Sequence, residues 1–197
     1  MTDSDSGKPV AQYSIDDFCT VLSSKQPTPG GGASAAIGAA IGAAAASMSA
    51  AYTQRKKDQE SGAAEQALNL ITTMDLPPLL QQADDDVQAY RDLQSTWKKD
   101  CELSSEQISE IQARALRVPT TLLEGCHARI VAIQAFLPHC NPNITSDAKV
   151  GIHQLAGAAR AAYQTVLVNS PPPEEKQRLI NLLLEIQQIE SELLKLK

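Results

Sequence analysis

The sequence predicts a single all-α bundle. Aromatic residues make up only 4% of 197, while alanine occurs 28 times. That balance, with abundant Leu, Gln and Glu, favours helix over sheet. Apolar residues recur at helical spacing, set off by capping and proline signals. No βαβ alternation or internal repeat is visible, which leaves helix packed on helix. At 43% hydrophobic and 20% charged, a chain of this length buries one core without disulfide or metal staples.

Each element follows from local signals. Residues 1–13 read as a loose, disordered tail and 14–197 as one helical domain. Ser14 with Asp17 starts the first helix, and Phe18, Val21 and Leu22 give it an apolar face. Pro27-Thr-Pro-Gly-Gly-Gly32 breaks it. A second helix begins near Gly32 or Ala33 and runs toward Lys57. Its small residues form two rows at four-residue spacing: Ala35, Ala39 and Ala43, then Ser34, Gly38, Gly42 and Ala46. Such rows place it at the bundle centre with neighbouring backbones close. Uncharged Ala33–Ala51 is as long as a membrane span. Eleven of its 19 residues are alanine, and without a Leu-rich core or aromatic belt it reads as a buried helix.

A third helix covers Ala63–Thr73, before Pro77-Pro78. A fourth runs from about Leu79 to Lys98. Ser104 with Gln107 forms a capping box for a long fifth helix. Pro119 predicts a kink in it and Pro138 its end. Thr145 or Ser146 caps a sixth helix reaching about Val168. Glu174 and Glu175 suit the first turn of the last helix. In it Leu179, Leu182, Ile186, Ile189, Leu193 and Leu196 make a heptad-like seam, fitting either its own bundle or a second subunit.

The net charge of −6 disfavours nucleic acid and anionic membranes as partners. Cys19, Cys101, Cys126 and Cys140 form no C-x-x-C pair, so reduced thiols and a cytoplasmic location are expected. The polar start MTDSDSGKPVAQY carries no secretory signal pattern. Cys126-His127 and His139-Cys140 suggest zinc ligands. Thirteen helical residues would hold them about 20 Å apart, so no metal site is expected.

Gly30-Gly31-Gly32-Ala33-Ser34-Ala35 formally matches G-x-G-x-x-A. A dinucleotide fingerprint needs a preceding strand, and a Walker A loop needs Gly-Lys-Ser/Thr, so both are rejected. Three glycines still expose N–H groups at a helix start, where an anion or carbonyl fits; the plainer reading is a tight turn. Arg55, Lys56 and Lys57 either complement a helix C-terminus or meet a carboxylate ligand. Asp84, Asp85 and Asp86 cannot share one helix face, and Asp86 lies on the side of Tyr90. A buried aspartate there could carry protons; a solvated acidic face is the commoner outcome. Asp147 suits a helix first turn.

The run Gln26-Pro-Thr-Pro-Gly-Gly-Gly-Ala-Ser-Ala-Ala36 strongly resembles the opening signature of the cyclodeaminase/cyclohydrolase family, the cyclodeaminase part of formiminotransferase-cyclodeaminase. Three segments resemble the same family in the same order. They are Asp86-Val-Gln-Ala-Tyr90, Val118-Pro119, and Asn141-Pro-Asn-Ile-Thr-Ser-Asp-Ala148 followed by Val150. Arg160, Val166 and Asn169 also fit the family pattern. The resemblance spans about residues 14–170.

It implies an all-helical homodimer acting on tetrahydrofolate one-carbon derivatives, without metal or prosthetic group. One implied activity closes 5-formiminotetrahydrofolate to 5,10-methenyltetrahydrofolate and releases ammonia. The alternative is methenyltetrahydrofolate cyclohydrolase. A rival from another class is a non-catalytic folate-binding or scaffold dimer. Under the enzymatic reading Asp86 is the acid/base or cation-stabilising group, and Asp147 the second. Gly30, Gly31, Gly32, Asn141 and Ser146 orient the pterin or the bridge. Arg55, Lys56 and Lys57 meet the glutamate tail. The family's usual glycine before the asparagine is Cys140 here, its lysine-rich stretch reads Gln54-Arg-Lys-Lys-Asp58, and its Pro-Lys is absent near Lys98-Lys99.

Overall fold

The computed structural model describes residues 8–194, and among them there is no strand. Eight α-helices follow in order: α1 Ile15–Leu22, α2 Gly31–Ala51, α3 Lys56–Glu60, α4 Ala63–Thr73, α5 Leu76–Ser95, α6 Ser105–Phe136, α7 Thr145–Val168 and α8 Pro173–Leu193. The all-α architecture is as the sequence predicts.

α2 is the axis. It packs most extensively on α7, then on α5 and α4. Ala33, Ala36, Ala39, Ala43, Ala46 and Ala50 are fully buried. Small side chains let the α2 and α7 backbones nearly touch. A Cβ placed on Gly151 would lie 2.8 Å from the Gly42 carbonyl oxygen and 2.9 Å from Ala46. α2 and α7 run antiparallel, since Gly42 meets Gly151 while Gly38 shares a groove with Gly157. α2 has the length and hydropathy of a membrane span; here its inner side is covered by α4, α5 and α7.

α8 lies on its own bundle. Leu179, Ile186 and Ile189 are buried, and Leu182 and Leu193 pack beside them. His127 Nε2 meets Glu185 at 2.8 Å, and His153 Nδ1 meets Glu190 at 2.8 Å. Burial pushes the Glu190 carboxyl up, but Arg160 and His153 outweigh it and hold it below the usual range. Leu196 of the expected seam lies outside the described residues.

Several local expectations need correction. Of the expected tail, residues 8–13 are docked: Val10 is buried in a short 3₁₀ turn, and its N–H donates to Asp84 Oδ1 at 2.6 Å. α2 ends at Ala51 rather than near Lys57. Buried Thr53 donates its hydroxyl to the Ser49 carbonyl at 2.9 Å, and Asp58 takes the Arg55 N–H at 2.9 Å. Those bonds start α3 instead of extending α2. α5 begins at Leu76, with Pro77 and Pro78 in its first turn, where a missing N–H costs no helical bond. It ends at Ser95. α6 carries the capping box and continues through Pro119 to Phe136. Neither Thr145 nor Ser146 caps α7; the cap residue is Ile144, and the Thr145 hydroxyl donates to the Asn141 carbonyl at 3.1 Å. Cys140 has φ −63° and ψ 142°, an extended conformation open to any residue, so glycine's freedom is not needed there.

Candidate functional site

Two polar clusters contain the predicted site residues, one near each end of α2. At the N-terminal end the Pro27–Gly30 turn delivers the chain into Gly31 and Gly32. The fold leaves no room for a side chain at Gly32: a Cβ would lie 1.9 Å from Asp86 Oδ1. That space is filled by the Asp86 carboxyl, whose Oδ2 accepts the Ala33 N–H at 2.9 Å. The Ser34 N–H returns to the Gly30 carbonyl at 3.0 Å. The Gly31 and Gly32 N–H groups remain at the helix start without an acceptor among the described residues.

Burial pushes the Asp86 carboxyl above its usual range, opposed only in part by the Ala33 N–H. Its two sequence neighbours do other work. Asp84 anchors the N-terminal segment through Val10, and Asp85 accepts from Gln81 Nε2 at 3.4 Å on the exposed side. The structure thus singles out Asp86 from the acidic run. A cavity of about 620 Å³ borders the Pro27–Pro29 part of the turn before α2. It lies against the opposite face of α5, lined by Val10, Pro27, Pro29, Asp84, Gln88 and Arg91.

The second cluster lies beyond the C-terminal end of α2, and Asn141 is its hub. Asn141 is 6% exposed. Its N–H donates to Thr53 Oγ1 at 3.0 Å and its Nδ2 to the Tyr52 carbonyl at 3.0 Å. Its Oδ1 accepts from Arg55 Nη1 at 2.7 Å and from the Asn143 N–H at 3.1 Å. Arg55 is gripped by Asp58 through Nε and Nη2, each at 2.7 Å. The Arg55 hydrogen bonds hold the Asp58 carboxyl below its ordinary value despite burial. Ser146 and Asp147 follow in the first turn of α7, with the Ser146 hydroxyl donating to Asp147 Oδ2 at 3.1 Å.

The structure therefore joins Asp86 to Gly32 and Ala33, with Gly30 and Gly31 in the turn just before them, and joins Arg55 to Asn141. Within one chain it does not join the two sets. The 21 residues of α2 separate its ends by about 30 Å. Arg55 is already committed to Asp58 and Asn141, while Lys56 and Lys57 are exposed. Sequence reasoning missed Asp58 and Thr53. For Asp58 the signal was available, an acidic residue three positions after Arg55 that closes a capping box.

The surface between the two ends is apolar. Ile41, Met48 and Tyr52 of the α2 side and Val150 of α7 are 50%, 42%, 62% and 46% exposed. A shallow groove of about 290 Å³ runs beside them, lined by Gly38, Gln154, Gly157 and Ala161.

No curated protein matches the chain. A crystal structure described as a formiminotetrahydrofolate cyclodeaminase from Thermotoga maritima is similar, with a TM-score of 0.71 and 20% sequence identity. The similarity covers 93% of this chain and 92% of that one. At that identity the likeness carries the fold. Residues 14–188 match the formiminotransferase-cyclodeaminase family. With the glycine-opened helix, Asp86 and the Asn141 loop all inside that match, the chain belongs to the formiminotransferase-cyclodeaminase family.

Proposed function

We propose that this protein is a formimidoyltetrahydrofolate cyclodeaminase. It closes 5-formiminotetrahydrofolate to 5,10-methenyltetrahydrofolate and releases ammonia. The observation that carries the reading is the Asp86 carboxyl, partly buried against a helix start, with Oδ1 unengaged by donors among the described residues.

The chemistry needs one mobile proton. Nitrogen 10 attacks the protonated formimino carbon and becomes positively charged. Asp86 takes its proton and returns it to the amino group, which leaves as ammonia. The charge stays on the methenyl bridge, where the carboxylate offsets it. A raised pKa suits a group that must both accept and return a proton.

The distance between the clusters supports a homodimer as part of this reading. A folate bridge cannot touch both Asp86 and Asp147 of one chain. A second copy laid antiparallel on the Ile41–Met48–Val150 face brings the N-terminal end of one α2 to the C-terminal end of the other. Each site then takes Asp86 and the glycines from one subunit and Asn141, Ser146 and Asp147 from its partner.

The test is absorbance of methenyltetrahydrofolate, run separately with the formimino and 10-formyl substrates. Formation from the formimino substrate, lost in Asp86→Asn, is expected. Turnover of the 10-formyl substrate alone would replace the reading with a cyclohydrolase, and tetrahydrofolate binding without turnover would leave a non-catalytic binder. Mixing inactive Asp86→Asn and Asp147→Asn chains should restore about one quarter of parental activity, because half the dimers carry one intact site. No recovery on subunit exchange would rule out the shared site.

A further inference from the structure

The face of α5 that presents Asp86 continues beyond it. Tyr90 lies four residues on, one helical turn along the same side. In the turn that closes α5, Trp97 packs on Tyr90 with ring centroids 6.2 Å apart and planes at 85°. The chain has one tryptophan, and it is 62% exposed, with Tyr90 at 37%. The edge-to-face pairing leaves ring surface open to water. Exposed Lys98 and Lys99 come next.

We propose that Tyr90 and Trp97 form the platform on which the aminobenzoyl ring of the folate stacks while its one-carbon bridge meets Asp86. The inference rests on the cyclodeaminase reading. Along the ligand, nitrogen 10 joins the bridge to the aminobenzoyl ring, and the glutamate carboxylates follow. Along the protein, Asp86 is followed by Tyr90 and Trp97, then by two lysines. The two orders correspond. A planar ring gains affinity from an aromatic face, and the carboxylates meet positive charge on a chain whose net charge is −6. This moves the glutamate tail away from Arg55, whose guanidinium is engaged by Asp58 and Asn141. Tyr90 and Trp97 are positioning residues; the proton transfer belongs to Asp86.

Calorimetric titration of the full chain with tetrahydrofolate tests this, with light scattering to follow subunit pairing. Trp97→Ala should weaken binding about tenfold, the loss of one ring stack. Trp97→Phe should stay within about threefold of the parent, since a ring face remains. In turnover, Trp97→Ala should raise KM by a similar factor and leave kcat near the parent value. Equal affinity of Trp97→Ala and parent overturns the platform while leaving the cyclodeaminase reading intact. A parent that binds no tetrahydrofolate overturns both. Loss of subunit pairing in Trp97→Ala, with kcat falling and no recovery in Trp97→Phe, assigns the pair to a subunit contact instead and also overturns the platform.

Discussion

The carboxyl of Asp86 and the backbone of Ala33, 53 residues apart, meet at 2.9 Å and fix α5 against the start of α2. The same contact positions the proposed proton carrier. Asp86→Asn keeps an oxygen for the Ala33 N–H but removes the acid/base function. Its kcat should fall by about 10²- to 10⁴-fold. A fall below about threefold would remove Asp86 from the chemistry.

The raised Asp86 pKa fixes the sign of two pH effects. The proton-accepting form appears only as pH passes that raised value, so the acid limb of the kcat/KM profile should lie above the usual carboxylate range. For stability, the folded chain binds this proton more tightly than the unfolded chain. Stability from this group is therefore present below the unfolded pKa and falls as pH rises through the folded value. Asp86→Asn should melt no lower than the parent at neutral pH. Any advantage should vanish in acid, as read by thermal melts from acid to neutral pH.

Gly32 and Gly31 are adjacent but should respond differently to alanine. A Cβ on Gly32 overlaps Asp86 Oδ1 at 1.9 Å, whereas one on Gly31 meets nothing within 4 Å. Gly32→Ala should cost about 1–3 kcal/mol and displace the carboxyl. Gly31→Ala should hold or slightly raise stability, because alanine is the better helix former. Denaturant midpoints compare the two directly.

The Asn141 side chain closes the loop before α7 with three hydrogen bonds. Asn141→Ala should cost about 2–3 kcal/mol, because it strands the partners of a buried polar side chain. Asp58→Asn acts through charge. The Asp58 pKa is depressed by Arg55, so its contribution is present above the unfolded pKa and is lost as pH falls through the folded value. The variant should melt below the parent at neutral pH, and the gap should close in acid.

The sequence carried the periodic parts of the fold well. Ala63–Thr73, the Ser104–Gln107 capping box and the seam of α8 are local patterns, and they appear where the patterns put them. The break after Ala51 was less legible, because it depends on Thr53 and Asp58 satisfying backbone groups that a longer helix would have used. At the site, Asp86 and the glycines were each visible. Their contact was not, since helical spacing gives a side chain's direction without naming the helix it faces. The Arg55–Asn141 bond joins residues 86 positions apart, which no local pattern announces. The separation of the two clusters follows from α2 running straight between them, which motif order alone does not reveal.

The bare crossing of α2 on α7 limits how this chain can diverge. Where Gly42 and Gly151 meet, a methyl group on Gly151 overlaps the Gly42 carbonyl at 2.8 Å, and one on Gly42 presses on α7 at 3.0–3.1 Å. Single replacements there are penalised one at a time, so divergence at this crossing needs coupled exchanges, with both positions and the helix spacing changing together. In a set of relatives, these two columns should change jointly or stay fixed, while exposed positions outside the two polar clusters drift.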